Sequence, residues 1–260
     1  MSDWNIQQAV DVLLAAERDR TELARITEEW PELNLEVAYQ VQDALIARKV
    51  ANGERIVGIK LGLTSRAKQQ RMGIDSPLIA WLTDAMVLTT GQAASTATMI
   101  HPRAEPEIVF IMKDCLSGPG VSVSTAMQAV GSVHAGIEII DSRFRDYSFA
   151  LPDVVADNAS SSAFAVGSSA VSPDGLDLEL EACLFSVDGE VVDSATGAAV
   201  QGHPAEALAL AANALSQRGI AIEAGWIVLT GGMTDAVPLT PGQVISAEFT
   251  NLGTVAFSVA

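Results

Sequence analysis

Two stretches near the start of the chain place apolar residues at helical spacing before any strand pattern begins. Over residues 4–18, Ile6, Val10, Leu13 and Leu14 fall three or four positions apart, ahead of the charged Glu17–Arg20, which is the stripe of an amphipathic helix. Residues 35–51 do the same with Val37, Val41, Ala44 and Leu45; Asn34 is placed to cap the first turn and Gly53 lies past the end. From Arg55 to Leu63 the pattern becomes that of a strand and seats Lys60 among apolar neighbours. A short polar helix is expected over 64–72, ended by Gly73, then a turn and short strand over 81–86 holding Asp84.

The segment from His101 to Met112 carries Glu105 and Glu107 two positions apart, so strand alternation puts both carboxylates on one face. Ile108 to Met112 are apolar on both faces, the mark of a buried strand. Ser117–Gly120 is a turn, Thr125–Val133 reads as a helix, and Gly136–Asp141 is a second apolar strand carrying Glu138. The polar cluster Asp157–Ser162 reads as a turn between two apolar runs. Leu176, Leu178 and Leu180 alternate with Asp177, Glu179 and Glu181, a one-sided strand, and Asp188-Gly189 is a hairpin signal. Pro204 opens a helix through Leu215. Closing strands follow at Trp226–Thr230, Val244–Phe249 and Thr254–Val259, with Gly231–Thr234 between the first two, where small residues allow close backbone approach. The expected class is α+β, one continuous unit in which an N-terminal helical region (1–54) packs on a strand-rich body (55–260).

Composition narrows the function classes. With 49% apolar and 18% charged residues the chain builds a core. A net charge of −17 with 15 Lys and Arg argues against a nucleic-acid partner. The N-terminus lacks a basic start followed by an apolar run, and no stretch approaches the roughly 20 apolar residues of a membrane span. With two cysteines, Cys115 and Cys183, the expectation is a cytoplasmic protein with free thiols. Phosphate-binding glycine loops, C-x-x-C, H-E-x-x-H and G-x-S-x-G are all missing.

What remains is carboxylate chemistry. Two anions on one face of a buried strand repel each other and lose hydration, which a compensating cation must offset. With Glu138 they make three oxygen donors, a set suited to a hard ion such as Mg²⁺ or Mn²⁺. Lys60 also needs an anion, either a core carboxylate in a salt bridge or a substrate.

Five ordered motifs, Gly58–Ser65, His101–Glu107, Ile137–Arg143, Asp157–Ser161 and Gly197–Pro204, together resemble the fumarylacetoacetate hydrolase superfamily over nearly the whole chain. Within it the likeness is to the branch of hydratases and decarboxylases of catechol meta-cleavage. Thr64–Lys68 with Met72-Gly73, His101-Pro102, Val154–Asn158 and Thr230–Thr234 are similar to the decarboxylases, whereas Ala80 stands where both usually have glycine. The resemblance implies a mixed-sheet body of the superfamily type, with Glu105, Glu107 and Glu138 binding Mg²⁺ or Mn²⁺. It also implies loss of CO₂ from 2-oxo-3-hexenedioate to give 2-hydroxypenta-2,4-dienoate, the alternative being hydration of that dienoate. A reading from another class is an acidic metal-binding subunit without turnover. Lys60 is then expected as a second cation beside the reacting oxygens. Asp84 and Asp157 are candidates for proton handling or for holding Lys60, and Ser160 and Ser161 for bonding a carboxylate. Arg143 is expected either to bind the distal carboxylate or, the favoured reading, to pair with Asp141. Expected partners are a 2-oxo dicarboxylate substrate, further copies of the chain and the pathway hydratase, with neither nucleic acid nor membrane.

Overall fold

Asn5 and Asn34 each accept a hydrogen bond from the backbone N–H three residues on, which satisfies an otherwise orphaned donor. They begin α1 (Ile6–Asp19) and α3 (Leu35–Ala51), with the one-turn α2 (Ile26–Glu29) between. The structure, a computed structural model, describes residues 4–65, 69–70, 73, 77–89 and 91–260. The short helix expected over 64–72 therefore lies mostly outside the described residues.

The body is built on two sheets. The larger holds β1 (Ile56–Gly62), β2 (Leu78–Thr83), β3 (Arg103–Met112), β4 (Val130–Ile140), β5 (Ser161–Val166) and β8 (Ile227–Leu229), in the order β2-β1-β8-β3-β4-β5. The two-residue β9 (Val237–Pro238) pairs with β3. β1 and β8 run parallel while the other pairs are antiparallel, so the sheet is mixed, as expected. The second sheet is β11-β10-β6-β7, from β6 (Ala182–Val187), β7 (Glu190–Thr196), β10 (Val244–Phe249) and β11 (Gly253–Ser258). Helices α4 (Val123–Ala129), α5 (Leu151–Ala156) and α6 (Pro204–Ser216) are inserted between strands.

A single apolar cluster joins Val10 and Leu13 of α1 and Val41 and Leu45 of α3 to Ile108 and Phe110 of β3 and to Phe185 and Phe249 of the second sheet. Gln42 of α3 reaches into this core and donates to the carbonyls of Ile79 (3.1 Å) and Val155 (3.0 Å), tying the helical layer to β2 and α5. Among the described residues no helix is long and apolar enough to cross a membrane.

Two expectations about elements need correction. The helix expected over Thr125–Val133 ends at Ala129, because Val130 and Val133 enter β4 and pair with Met112 and Phe110; cross-strand pairing of β-branched residues overrides helical periodicity. Residues 176–181 form turns instead of a strand. Asp177 accepts the Leu180 N–H through its backbone carbonyl (3.2 Å) and its side chain (3.3 Å). This turns Leu180 outward, 69% exposed, and Glu181 inward, where it accepts hydrogen bonds from Asn251 (2.7 Å).

Candidate metal centre and its pocket

The register of β3 against β4 creates the site. Glu105 lies directly opposite Glu138, and Glu107 opposite Gly136, so the three carboxylates gather on one face of neighbouring strands. Each offers an oxygen within 4.8 Å of the others. Glu107 and Glu138 are fully buried and Glu105 is half-buried. Burial and the neighbouring Glu138 and Glu105 push the Glu107 carboxyl well above the usual range. Burial raises Glu138 to about 7 even against the pull of Lys60. Two buried carboxylates and a half-buried one share a single lysine, more negative charge than burial tolerates without a further cation. Oε1 of Glu107 accepts no hydrogen bond. Crowded carboxylates, an orphaned buried oxygen and an all-oxygen donor set fit a hard divalent cation.

Lys60, on β1, makes the salt bridge to a core carboxylate that the sequence allowed. Its Nζ lies 2.8 Å from Glu138 Oε1 and donates to Oε2 and to the Ala159 carbonyl, both at 2.9 Å, and the residue also lines the pocket. The Ala159 carbonyl is aimed there by an unusual turn in which Asn158, Ala159 and Ser160 all have φ near +50°. Three consecutive non-glycine residues in the left-handed region are strained. The turn is held by Asn158, whose side chain bonds both the N–H and the C=O of Trp81 at 2.9 Å. On the far side, the N–H of Gly231 donates to Glu107 Oε2 (2.7 Å). Gly231 has φ +114°, and a Cβ on Gly232 would collide with Glu105 Oε2, which is why small residues are required in this loop.

Glu105 opens onto a cavity of about 390 Å³. Lys60, Thr64, Ser160, Arg103 and Asp235 are among its polar lining residues, and Leu78, Ile140, Phe149 and Val154 among its apolar ones. Of the residues expected from the sequence, the structure brings Lys60, Ser160 and the three glutamates together. Asp84 is not brought there. It is the first residue of the turn after β2, and its carboxylate accepts hydrogen bonds from the backbone N–H and guanidinium of Arg55, both at 2.9 Å. Asp157 holds Arg143, not Lys60, and Arg143 pairs with it instead of with Asp141. Asp141 is occupied by the N–H groups of Ile100 (2.9 Å) and His101 (2.8 Å). Burial pushes Asp157 up to about 6 in spite of the Arg143 guanidinium. Ser161 spends its hydroxyl on the Asn158 carbonyl (2.8 Å), supporting the strained turn. Arg103, Tyr147 and the Gly231 amide were missed. Arg103 was within reach of sequence reasoning, since it shares strand alternation with Glu105 and Glu107, whereas nothing in the sequence marks Tyr147.

A mixed sheet that gathers three carboxylates beside a cavity supplies the donor set of a divalent-metal enzyme. Residues 55–260 match the fumarylacetoacetate (FAA) hydrolase C-terminal family, and the chain belongs to that family. It is 40% identical over 240 residues to 4-oxalocrotonate decarboxylase of Pseudomonas sp. (strain CF600), covering 92% of this chain and 91% of that one. It is 38% identical to 2-hydroxyhexa-2,4-dienoate hydratase of Comamonas testosteroni, covering 93% and 92%. The solved 4-oxalocrotonate decarboxylase from Pseudomonas putida G7, complexed with magnesium and adipate, superposes over the whole of both chains with a TM-score of 0.95 at 36% identity.

Proposed function

We propose that this chain is a metal-dependent carboxy-lyase that converts 2-oxo-3-hexenedioate (4-oxalocrotonate) to 2-hydroxypenta-2,4-dienoate and CO₂ in catechol meta-cleavage. The observation that carries the reading is the cluster of Glu105, Glu107 and Glu138, which opens through Glu105 onto a cavity lined by both polar and apolar residues, in a chain whose relatives include several decarboxylases of this name. The three glutamates would hold Mg²⁺ or Mn²⁺. When bound, the ion supplies Lewis-acid stabilisation of charge building on the substrate's 2-oxo oxygen.

In the reaction the C5–C6 bond breaks and CO₂ leaves. The freed pair becomes the C4=C5 double bond, the former C3=C4 pair moves to C2=C3, and the carbonyl pair goes to the oxygen, which then takes a proton. Lys60 is a fixed cation at the edge of the carboxylate cluster, and its charge favours the oxyanion more than the ketone, so its effect is largest in the transition state. Ser160 is the hydroxyl on the wall that would bond a substrate carboxylate. Leu78, Phe149 and Val154 add apolar surface to the cavity, and poorer hydration of a carboxylate favours its loss as a neutral product. The same reading makes the protein cytoplasmic and homo-oligomeric, associated with the hydratase that would consume its product; its two free thiols support the compartment.

The test is an ultraviolet assay with Mg²⁺, offering 2-oxo-3-hexenedioate and 2-hydroxypentadienoate separately. CO₂ release from the first, lost with EDTA, supports the reading. Consumption of the second alone would make the chain a hydratase, a reading that the Comamonas relative favours. Glu107→Gln is expected to lower metal affinity at least about 10-fold and kcat/KM in parallel; full activity with unchanged metal dependence would mean that the site is elsewhere.

A further inference from the structure

We propose that Arg103 is the residue that reads the distal C6 carboxylate of the substrate, and that Tyr147 is the positioning residue that aims it; this rests on the dicarboxylate reading of the same pocket. Sequence reasoning offered Arg143 as one candidate for that role, but Arg143 is 5% exposed and committed to Asp157 and to the Ser161 carbonyl. Lys60 is committed to Glu138 and Ala159. Arg103 lines the cavity, is half-buried and forms no ion pair among the described residues.

Its place in the sheet suits the task. Arg103 precedes Glu105 by two residues on β3, so both point to the same face about 6.6 Å apart along the strand. Arg103 pairs across the strands with Ile140, itself on the cavity wall, as Glu105 pairs with Glu138. A substrate whose 2-oxo acid end sits at the glutamate cluster would therefore run its far end along β3 toward Arg103.

The guanidinium is held where it is by a ring. Its central carbon lies 4.4 Å from the centroid of Tyr147, a cation–π distance. The Tyr147 hydroxyl donates to the Ile140 carbonyl (2.9 Å), with the His101 carbonyl at 3.2 Å, and the ring leans on His101 at 4.9 Å. Asp146 and Tyr147 both have φ of 55°, a costly conformation for a bulky residue that persists only where the surroundings impose it. Here it sets the ring as a shelf for Arg103.

The chemistry also fixes the expected signature. The C6 carboxylate gives up its charge as CO₂ forms, so an arginine on it binds the ground state more strongly than the transition state. Loss of Arg103 should raise KM without lowering kcat.

Calorimetry on the Mg²⁺-loaded enzyme tests this with 2-oxoadipate and 2-oxopentanoate, which share the 2-oxo acid end and differ in the distal carboxylate. Arg103→Gln is expected to weaken 2-oxoadipate at least tenfold, about 1.4 kcal/mol, and to leave 2-oxopentanoate within twofold, which also verifies that the variant is folded. Arg103→Lys should recover part of the loss. Tyr147→Leu should weaken 2-oxoadipate selectively and Tyr147→Phe should not. Equal weakening of both acids would place Arg103 at the 2-oxo acid end, and no weakening of either would remove it from recognition; each overturns the proposal. A fall in kcat at unchanged KM would also overturn it. If the wild type binds 2-oxoadipate through Arg103 but releases no CO₂ from 2-oxo-3-hexenedioate, the decarboxylase reading fails and this one stands.

Discussion

Gly232 shows how closely single residues are fitted around the carboxylates, since any Cβ there would strike Glu105 Oε2. Gly232→Ala must displace that carboxylate, and Mg²⁺ affinity is expected to fall about 10- to 100-fold, read by calorimetry with the circular dichroism spectrum unchanged. Asp157 and Arg143 make a different case. Both are buried, and the raised pKa of Asp157 reports that burial opposes its charge. A pair of this kind adds little net stability, yet removing one partner strands the other. Asp157→Asn is expected to cost about 3–5 kcal/mol in urea unfolding, a structural loss distinct from any effect on chemistry. At this scale the sequence disclosed what alternation within one strand fixes, namely Glu105 and Glu107, and an unsatisfied charge, Lys60. It did not disclose partners. Asp84 and Asp157 look alike as acids beside apolar strands, but one is bound by Arg55 and the other neutralises Arg143.

At the scale of elements, capped helices and isolated apolar strands were legible, and α1, α3 and β3 stand within a few residues of their expected limits. The failures at 125–133 and 176–181 share a cause. In both, a local repeat competes with a distant partner or a side-chain turn, and the non-local or turn contact wins. Contact between the helical layer and the body is of the same non-local kind, through Gln42 and the common core. We propose that residues 1–54 and 55–260 fold as one unit. A fragment beginning at residue 55 is then expected to be insoluble or to lose its cooperative thermal transition; a soluble fragment that melts cooperatively would show two independent units.

For the whole molecule, the two thiols give a direct measure of the fold's integrity. Cys115 is exposed, whereas Cys183 is buried and its thiol is pushed up to about 12 by burial and by Glu181. The thiolate is the reactive form, so at pH 8, far below that value, Cys183 should stay inert. One thiol is expected to titrate with Ellman's reagent in the native protein and two in guanidinium chloride; two in the native state would mean that the second sheet opens. The sequence by itself determined the α+β class, the glutamates that can share one strand face, and the lysine that needs an anion, because periodicity and the cost of unpaired charge act locally along the chain. Tertiary structure alone decided that Glu138 lies opposite Glu105, that Gly231 holds Glu107, that Arg143 belongs to Asp157, and that Arg103 is left facing the cavity on the Tyr147 ring. Those are matters of register and of which distant groups meet, and burial gives them their energetic weight.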